Sequence, residues 1–281
     1  MAYLTVDGRR RVYFEDHGAG DCALVLIHGW GMDARVWDGV LMPLLADDRR
    51  VIVMDHRGCG RSDHDFPDLS IAAIAGDVAR LVGEAGVSRA VLNGWSLGGA
   101  VATRAAHDLG ATCAGLILTA GASPIYTQKA DLALGGTAED VLATVAAIDA
   151  DRINVLRGVA DAVCAKPVST HVTEWMARSF INSSARATAT LAELAFIDQR
   201  EMLLALDMPV LSFICGRDGF VAPQIGQWVA DHHPRARGVR YPDSGHAPFI
   251  EERDAYLEAL RGFLDQFQPD PSRESQSGGA P

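Results

Sequence analysis

The sequence predicts an α/β fold: a mostly parallel central sheet flanked by helices, with a helical cap inserted into it. Three observations carry the prediction. Short, near-continuous apolar runs that end in glycine or polar residues mark strands buried on both faces. Apolar residues at three- and four-residue spacing between those runs mark amphipathic helices. The two patterns alternate along the chain, as layered helix and parallel sheet require. The alternation fails only between about residues 125 and 206, where helical spacing continues with no convincing strand.

The elements follow in order. Residues 22–29 form the first apolar run, and Val36, Trp37, Val40, Leu41, Leu44 and Leu45 then share one helical face. Residues 51–55 read as a strand, with Ile71, Ile74, Val78, Leu81 and Val82 as the helix after it. A strand at 90–94 leads into a helix at 97–109 rich in small residues, and 116–119 is the next strand. Helical stretches at 141–148, 155–163, 172–180 and 191–196 make up the interruption. After it come a strand at 210–215, a helix at 223–232, a short strand pattern before Tyr241, and a final helix through Tyr256, Leu257, Leu260, Phe263, Leu264 and Phe267. The expected organisation is a core of residues 1–124 and 206–268, a cap of residues 125–205, and a tail of residues 269–281. The tail lacks large apolar residues and is expected to be disordered.

Bulk properties narrow the function. A chain of 281 residues with 48% hydrophobic content can bury a large interior. Its formal net charge of −11 disfavours nucleic-acid and anionic-membrane surfaces, which are recognised through basic patches. No apolar run has signal-peptide or membrane-span length, so a cytoplasmic location is expected. The five cysteines are odd in number and show no C-x-x-C spacing, which favours reduced thiols over a disulfide framework. Asp231-His232-His233 and Asp63-His64-Asp65 lack a third ligand at helical spacing and read as surface, so no metal site is expected. Nothing distinguishes a monomer from a homodimer.

Chemistry concentrates at strand ends. Gly94-Trp95-Ser96-Leu97-Gly98-Gly99 sits between the third strand and a helix, so Ser96 falls on a turn that projects its hydroxyl above the carboxyl edge of the sheet. A serine needs a base to take its proton and a third group to hold that base. Gly216-Arg217-Asp218 ends a later strand, and Gly245-His246 lies in a loop before the last helix, giving the chain order Ser, Asp, His. The N–H groups of Leu97 and of Trp30, in the loop His28-Gly29-Trp30-Gly31, are candidate oxyanion donors. As backbone groups they leave the side chains of Trp30 and Leu97 free to vary. His28 is expected to brace that loop. Asp218 has a plainer alternative role as a cap for the following helix. Trp95, Ile125, Val221 and Phe249 are the candidate pocket residues.

These motifs, with Asp55-His56-Arg57-Gly58-Cys59-Gly60-Arg61-Ser62, resemble the α/β-hydrolase family over residues 11–267. The resemblance implies Ser96 as nucleophile, His246 as base, Asp218 as its orienting acid, and the Trp30 and Leu97 N–H groups as the oxyanion hole, with no cofactor. The serine at position 96 separates the chain from the dehalogenases and epoxide hydrolases of this fold, which carry aspartate there. Gly29-Trp30-Gly31, residues 94–99 and residues 245–250 look like the esterases that demethylate pimeloyl-ACP methyl ester. The last two stretches also resemble acyl-homoserine lactonases. The glycine-tryptophan loop together with residues 57–63 is similar to bacterial arylesterases and cofactor-free perhydrolases.

The expected activity is hydrolysis of a small, largely apolar carboxylic ester. Lactone, thioester and C–C hydrolysis by the same triad remain as alternatives, as does a ligand-sensing protein that keeps the triad without turnover. Residues 125–205 hold seven basic and ten acidic side chains. An acidic carrier protein favours a basic landing site, so a free small-molecule ester or lactone is the expected partner.

Overall fold

The computed structural model describes residues 2–268. An eight-stranded sheet runs through it in the order β1-β2-β4-β3-β5-β6-β7-β8. The strands are β1 (Ala2–Val6), β2 (Arg10–His17), β3 (Cys22–Ile27), β4 (Arg50–Met54), β5 (Arg89–Trp95), β6 (Cys113–Thr119), β7 (Val210–Cys215) and β8 (Ala236–Tyr241). From β4 across to β8 all neighbours are parallel, whereas β1 and β2 add an antiparallel edge. The tail expected at 269–281 lies outside the described residues.

Sheet order fixes where a ligand can enter. The crossover from β3 to β4 holds helix α1 (Asp38–Ala46) and moves one way along the sheet. The crossover from β4 to β5 holds α2 (Ile71–Glu84) and moves back past β3. Right-handed crossovers in opposite directions put their helices on opposite faces. Accordingly α2 packs with α3 (Leu97–Leu109), and α1 packs with the last long helix. Between the carboxyl ends of β3 and β5 the chain therefore diverges and leaves a crevice, the usual ligand position in open α/β sheets. Ile27 pairs with Gly94 across this point, so the loop after β3 and the turn after β5 emerge side by side.

Between β6 and β7 the chain makes a helical excursion through α4 (Ala138–Ala150), α5 (Arg152–Ala162), α6 (Thr170–Asn182), α7 (Thr188–Glu193) and α8 (Arg200–Leu204). Its base is closed by an isolated antiparallel bridge between Ile125 and Asp198. Gln199 fastens it further, donating from Nε2 to Ala100 O at 2.9 Å while its own N–H reaches Pro124 O at 2.8 Å. The chain then completes β7, α9 (Pro223–His232), β8, α10 (Pro248–Glu251) and α11 (Arg253–Leu264).

Candidate active site

The turn after β5 is built by close approach. A Cβ at Gly94 would meet Gly98 O at 2.1 Å, and one at Gly98 would meet Ile27 O and His28 O at 2.5 Å. Only glycine lets α3 start so near β3 and β5. Ser96 is forced into φ 56°, ψ −125°, a conformation that L-residues rarely adopt. Its hydroxyl makes no capping bond to the helix it precedes. An ordinary turn serine would cap that helix, and this one is left available to a cavity.

That cavity, of about 610 Å³, lies between the sheet edge and the helical excursion. Ser96, Leu97, Trp30, Asp218 and His246 all line it. His246 Nδ1 and Asp218 Oδ2 are 2.8 Å apart, with both side chains almost wholly buried. The other carboxylate oxygen of Asp218 accepts from the N–H groups of Phe220 and Val221 at 2.8 and 3.0 Å. One oxygen thus holds the loop while the other holds the imidazole. The Phe220 ring sits 5.0 Å from the His246 ring.

Among the described residues neither the Trp30 N–H nor the Leu97 N–H donates to a protein acceptor. Leu97 begins α3, so its N–H is one of the groups a helix start leaves unpaired, at the positive end of the helix dipole. Two free donors on the wall of one cavity can stabilise negative charge on an oxygen placed between them.

The loop carrying Trp30 is held from behind. His28 donates from Nδ1 to Gly29 O at 2.7 Å and accepts at Nε2 from His56 N–H at 2.9 Å, which fixes a neutral tautomer. The His28 and His56 rings stack at 3.7 Å. Burial holds both imidazoles below the ordinary value of 6.5, and for His56 the adjacent His28 adds to the effect. As pH falls below about 6.5 the unfolded chain takes up protons at these positions before the folded one, so stability present above that pH is progressively lost. The expected result is a melting temperature that drops between pH 7 and pH 5. His56→Gln should melt lower at pH 8 but show a shallower drop. Thermal melts at half-unit intervals check this, and parallel wild-type and variant profiles would refute it.

Several expectations need correction. Of the four candidate pocket residues, Trp95 lines the cavity, whereas Ile125, Val221 and Phe249 do not. Phe249 is 2% exposed and packs between Trp37, Trp95 and Tyr256, where it supports the site from behind. Ile125 faces the core from the Ile125–Asp198 bridge, and successive side chains in extended backbone point opposite ways. Its neighbour Tyr126 takes the cavity position instead. Burial, with the nearby Asp218 charge, pushes the Tyr126 hydroxyl up to about 12. Val221 is held in the core by the Asp218 loop. Ile148, Val159, Phe180, Leu191 and Leu194 supply the apolar wall from the excursion, a contribution that depends on how its helices pack.

The Trp30 side chain is also not free to vary. Its indole N–H donates to Ala187 O at 2.7 Å, tying the loop after β3 to the excursion. The Trp95 indole likewise donates to His246 O at 2.8 Å. His233, part of an expected surface cluster, is buried and bonded to Leu206 O. Among the described residues no three His, Cys, Asp or Glu side chains gather as a metal site, and no helix is long and apolar enough to cross a membrane. All five cysteines are free, and burial pushes the Cys59, Cys113 and Cys215 thiols well up, which makes them poor nucleophiles.

Comparison with known proteins agrees with this architecture. The family model for the alpha/beta hydrolase fold matches residues 23–253. The chain is 33% identical over 273 residues to the pimeloyl-[acyl-carrier protein] methyl ester esterase of Edwardsiella ictaluri (strain 93-146), covering 90% of this chain and 97% of the relative. Among solved structures, the esterase EaEST from Exiguobacterium antarcticum superposes with a TM-score of 0.89 at 24% identity, covering 94% of this chain and 98% of that one. The esterase RhEst1 from Rhodococcus sp. ECU1013 gives 0.80 at 25% identity, with 94% and 97% covered. A match from β3 through β8, together with a relative of this identity along nearly its full length, means that the chain belongs to the α/β-hydrolase family, as a serine hydrolase of the carboxylic-ester kind.

Proposed function

We propose that the protein hydrolyses a small, largely apolar carboxylic ester through an acyl-enzyme on Ser96. His246 takes the Ser96 proton as the hydroxyl attacks the carbonyl, and Asp218 holds the imidazole in the tautomer that leaves Nε2 free to accept. The N–H groups of Trp30 and Leu97 receive the developing oxyanion. His246 then protonates the departing alcohol and next activates the water that releases the acid. The observation that carries this reading is the Asp218–His246 bond on the same cavity as an uncapped Ser96 and two unpaired N–H groups. In this reading residues 125–205 act as the cap and supply the acyl wall.

The cap also bears on substrate charge. Among the described residues, Asp140 is the only charged side chain beyond the triad on the cavity lining, at the exposed start of α4. Its carboxylate accepts from the Thr137 N–H and hydroxyl and forms no ion pair among the described residues. Helices α4 and α5 carry Glu139, Asp140, Asp149 and Asp161 against Arg152 and Arg157. A negatively charged acyl chain or an acidic carrier meets like charge there, so the substrate is a free, neutral ester.

A panel of p-nitrophenyl esters from acetate to octanoate, assayed with wild type and Ser96→Ala, tests the reading. Turnover lost with the serine supports it, and a folded wild type inert to the whole panel would sink it. Across matched methyl esters, a neutral diester should exceed the anionic half-ester in kcat/KM at low salt, and added salt should shrink the difference. Asp140→Asn, which keeps the Thr137 bonds, should narrow that gap.

A further inference from the structure

The excursion touches the His246 loop directly. The His246 N–H donates to Val163 O at 2.8 Å, and a Cβ at Gly245 would meet Ala165 N at 2.5 Å, so two backbones lie in contact there. Glu251, at the end of α10, sits in that seam. Its Oε2 accepts from the N–H of Gly245 at 3.0 Å, of Ala165 at 2.9 Å and of Lys166 at 2.8 Å. Its Oε1 accepts from the Ser244 hydroxyl at 3.3 Å. The Lys166 ammonium pairs with Glu252 instead, and Glu251 forms no ion pair among the described residues. The charge of Glu251 is therefore directed at backbone N–H groups from two segments some 80 residues apart in sequence, one of which carries His246.

We propose that Glu251 is a positioning residue for the hydrolysis: it fastens segment 163–166 to loop 244–246, so that His246 is in register only while that segment is seated. The inference rests on His246 acting as the base. Hydrogen bonds to an ionised acceptor are stronger than neutral ones, and three of them on one oxygen fix both strands of the seam. The His246 N–H ties the same loop to Val163 O, and loss of the Glu251 clasp leaves that backbone bond to hold the loop against the segment without the bonds at Ser244 and Gly245. A displacement of about 1 Å at a reacting group can cost on the order of 10²-fold in rate.

The test compares wild type, Glu251→Gln and Glu251→Ala by ester kinetics and hydrogen exchange. Glutamine keeps an oxygen on the three N–H groups and lets the Ser244 hydroxyl turn to accept, so its kcat should fall only about 2–5-fold. Alanine should lower kcat about 10–100-fold on a short ester while KM changes less than about threefold, and it should displace the low-pH limb of the pH profile of kcat/KM. In both variants exchange should quicken in 163–166 and 244–246 together. A folded alanine variant with wild-type kcat overturns the proposal, as does faster exchange in one segment alone. Should the alanine variant fail to fold, the glutamine variant decides through exchange, with unchanged protection in both segments counting against the clasp. Exchange needs no substrate. Coupled segments in a wild type that turns over no ester would therefore point to failure of the hydrolase reading, whereas uncoupled segments in an active enzyme would point to failure of this one.

Discussion

Ser96→Gly is expected to melt about 1–8 °C above wild type while hydrolysing esters about 10⁴–10⁶-fold more slowly. On the proposed mechanism the activity loss follows from removing the attacking oxygen, which disables His246 and Asp218 along with it. The stability gain follows from the backbone. Ser96 is held at φ 56°, ψ −125°, and a side chain in such a region costs about 1–3 kcal/mol that glycine does not incur. Against this, glycine makes the unfolded chain more disordered, by about 0.5–1 kcal/mol. The net gain of roughly 0.5–2 kcal/mol converts to degrees at about 2–4 °C per kcal/mol for a chain of this size. Ser96→Ala separates the two effects, because it removes the oxygen but keeps the Cβ. Calorimetry of the three proteins beside an ester assay makes the comparison, and a glycine variant melting no higher than the alanine variant would show that position 96 stores no strain.

Strained residues of this kind persist where surrounding structure over-determines them, and here the surroundings were readable. Gly94 and Gly98 flank a serine at a strand end, and each glycine lies where a Cβ would strike backbone. The parallel strands β3 to β7 were legible for a related reason. Burial on both faces demands continuous apolar residues, and that pattern needs no knowledge of the neighbours.

The elements that escaped detection lack such a local signature. In β1 only Leu4 and Val6 are buried, and in β2 only Val12 and Tyr13, because both strands lie at the antiparallel edge with one side toward solvent. Their sequences are short and mixed in polarity, so they do not stand out from a turn. The cavity wall was partly misread because a one-residue shift in register exchanges Ile125 for Tyr126. The indole bonds of Trp30 and Trp95 join residues 157 and 151 positions apart, and the Glu251 clasp joins 165 and 166 to a carboxylate about 85 positions away. Such contacts depend on how segments far apart in the chain settle together at the sheet edge. Local spacing carries no record of them.

Asp218→Asn is expected to lower kcat about 10⁴-fold with little loss of stability. The two oxygens of Asp218 have separate partners, and asparagine can satisfy one set but not the other. Its amide oxygen can keep the bonds from the Phe220 and Val221 N–H groups, now at 2.8 and 3.0 Å, and so preserve the loop. Its NH₂ then faces His246 Nδ1, which must become an acceptor, and the ring proton moves to Nε2 on the side of the nucleophile. An imidazole in that tautomer cannot take a proton from Ser96, and the same change in a serine protease costs about 10⁴. Asp218→Ala should lose the rate and also about 1–3 kcal/mol of stability, because the loop N–H groups then go unpaired. Measuring kcat and melting temperature for both variants separates the roles, and an asparagine variant within tenfold of wild-type kcat would sink the orienting role. The plainer expectation, Asp218 as a cap for the next helix, does not hold: that helix starts after Ala222 and has no side-chain cap, and the anchoring oxygen holds the loop before it instead. A carboxylate can be anchored by one oxygen to its own loop and still present the other in a fixed direction, and an imidazole whose tautomer must not drift needs a partner held in that way.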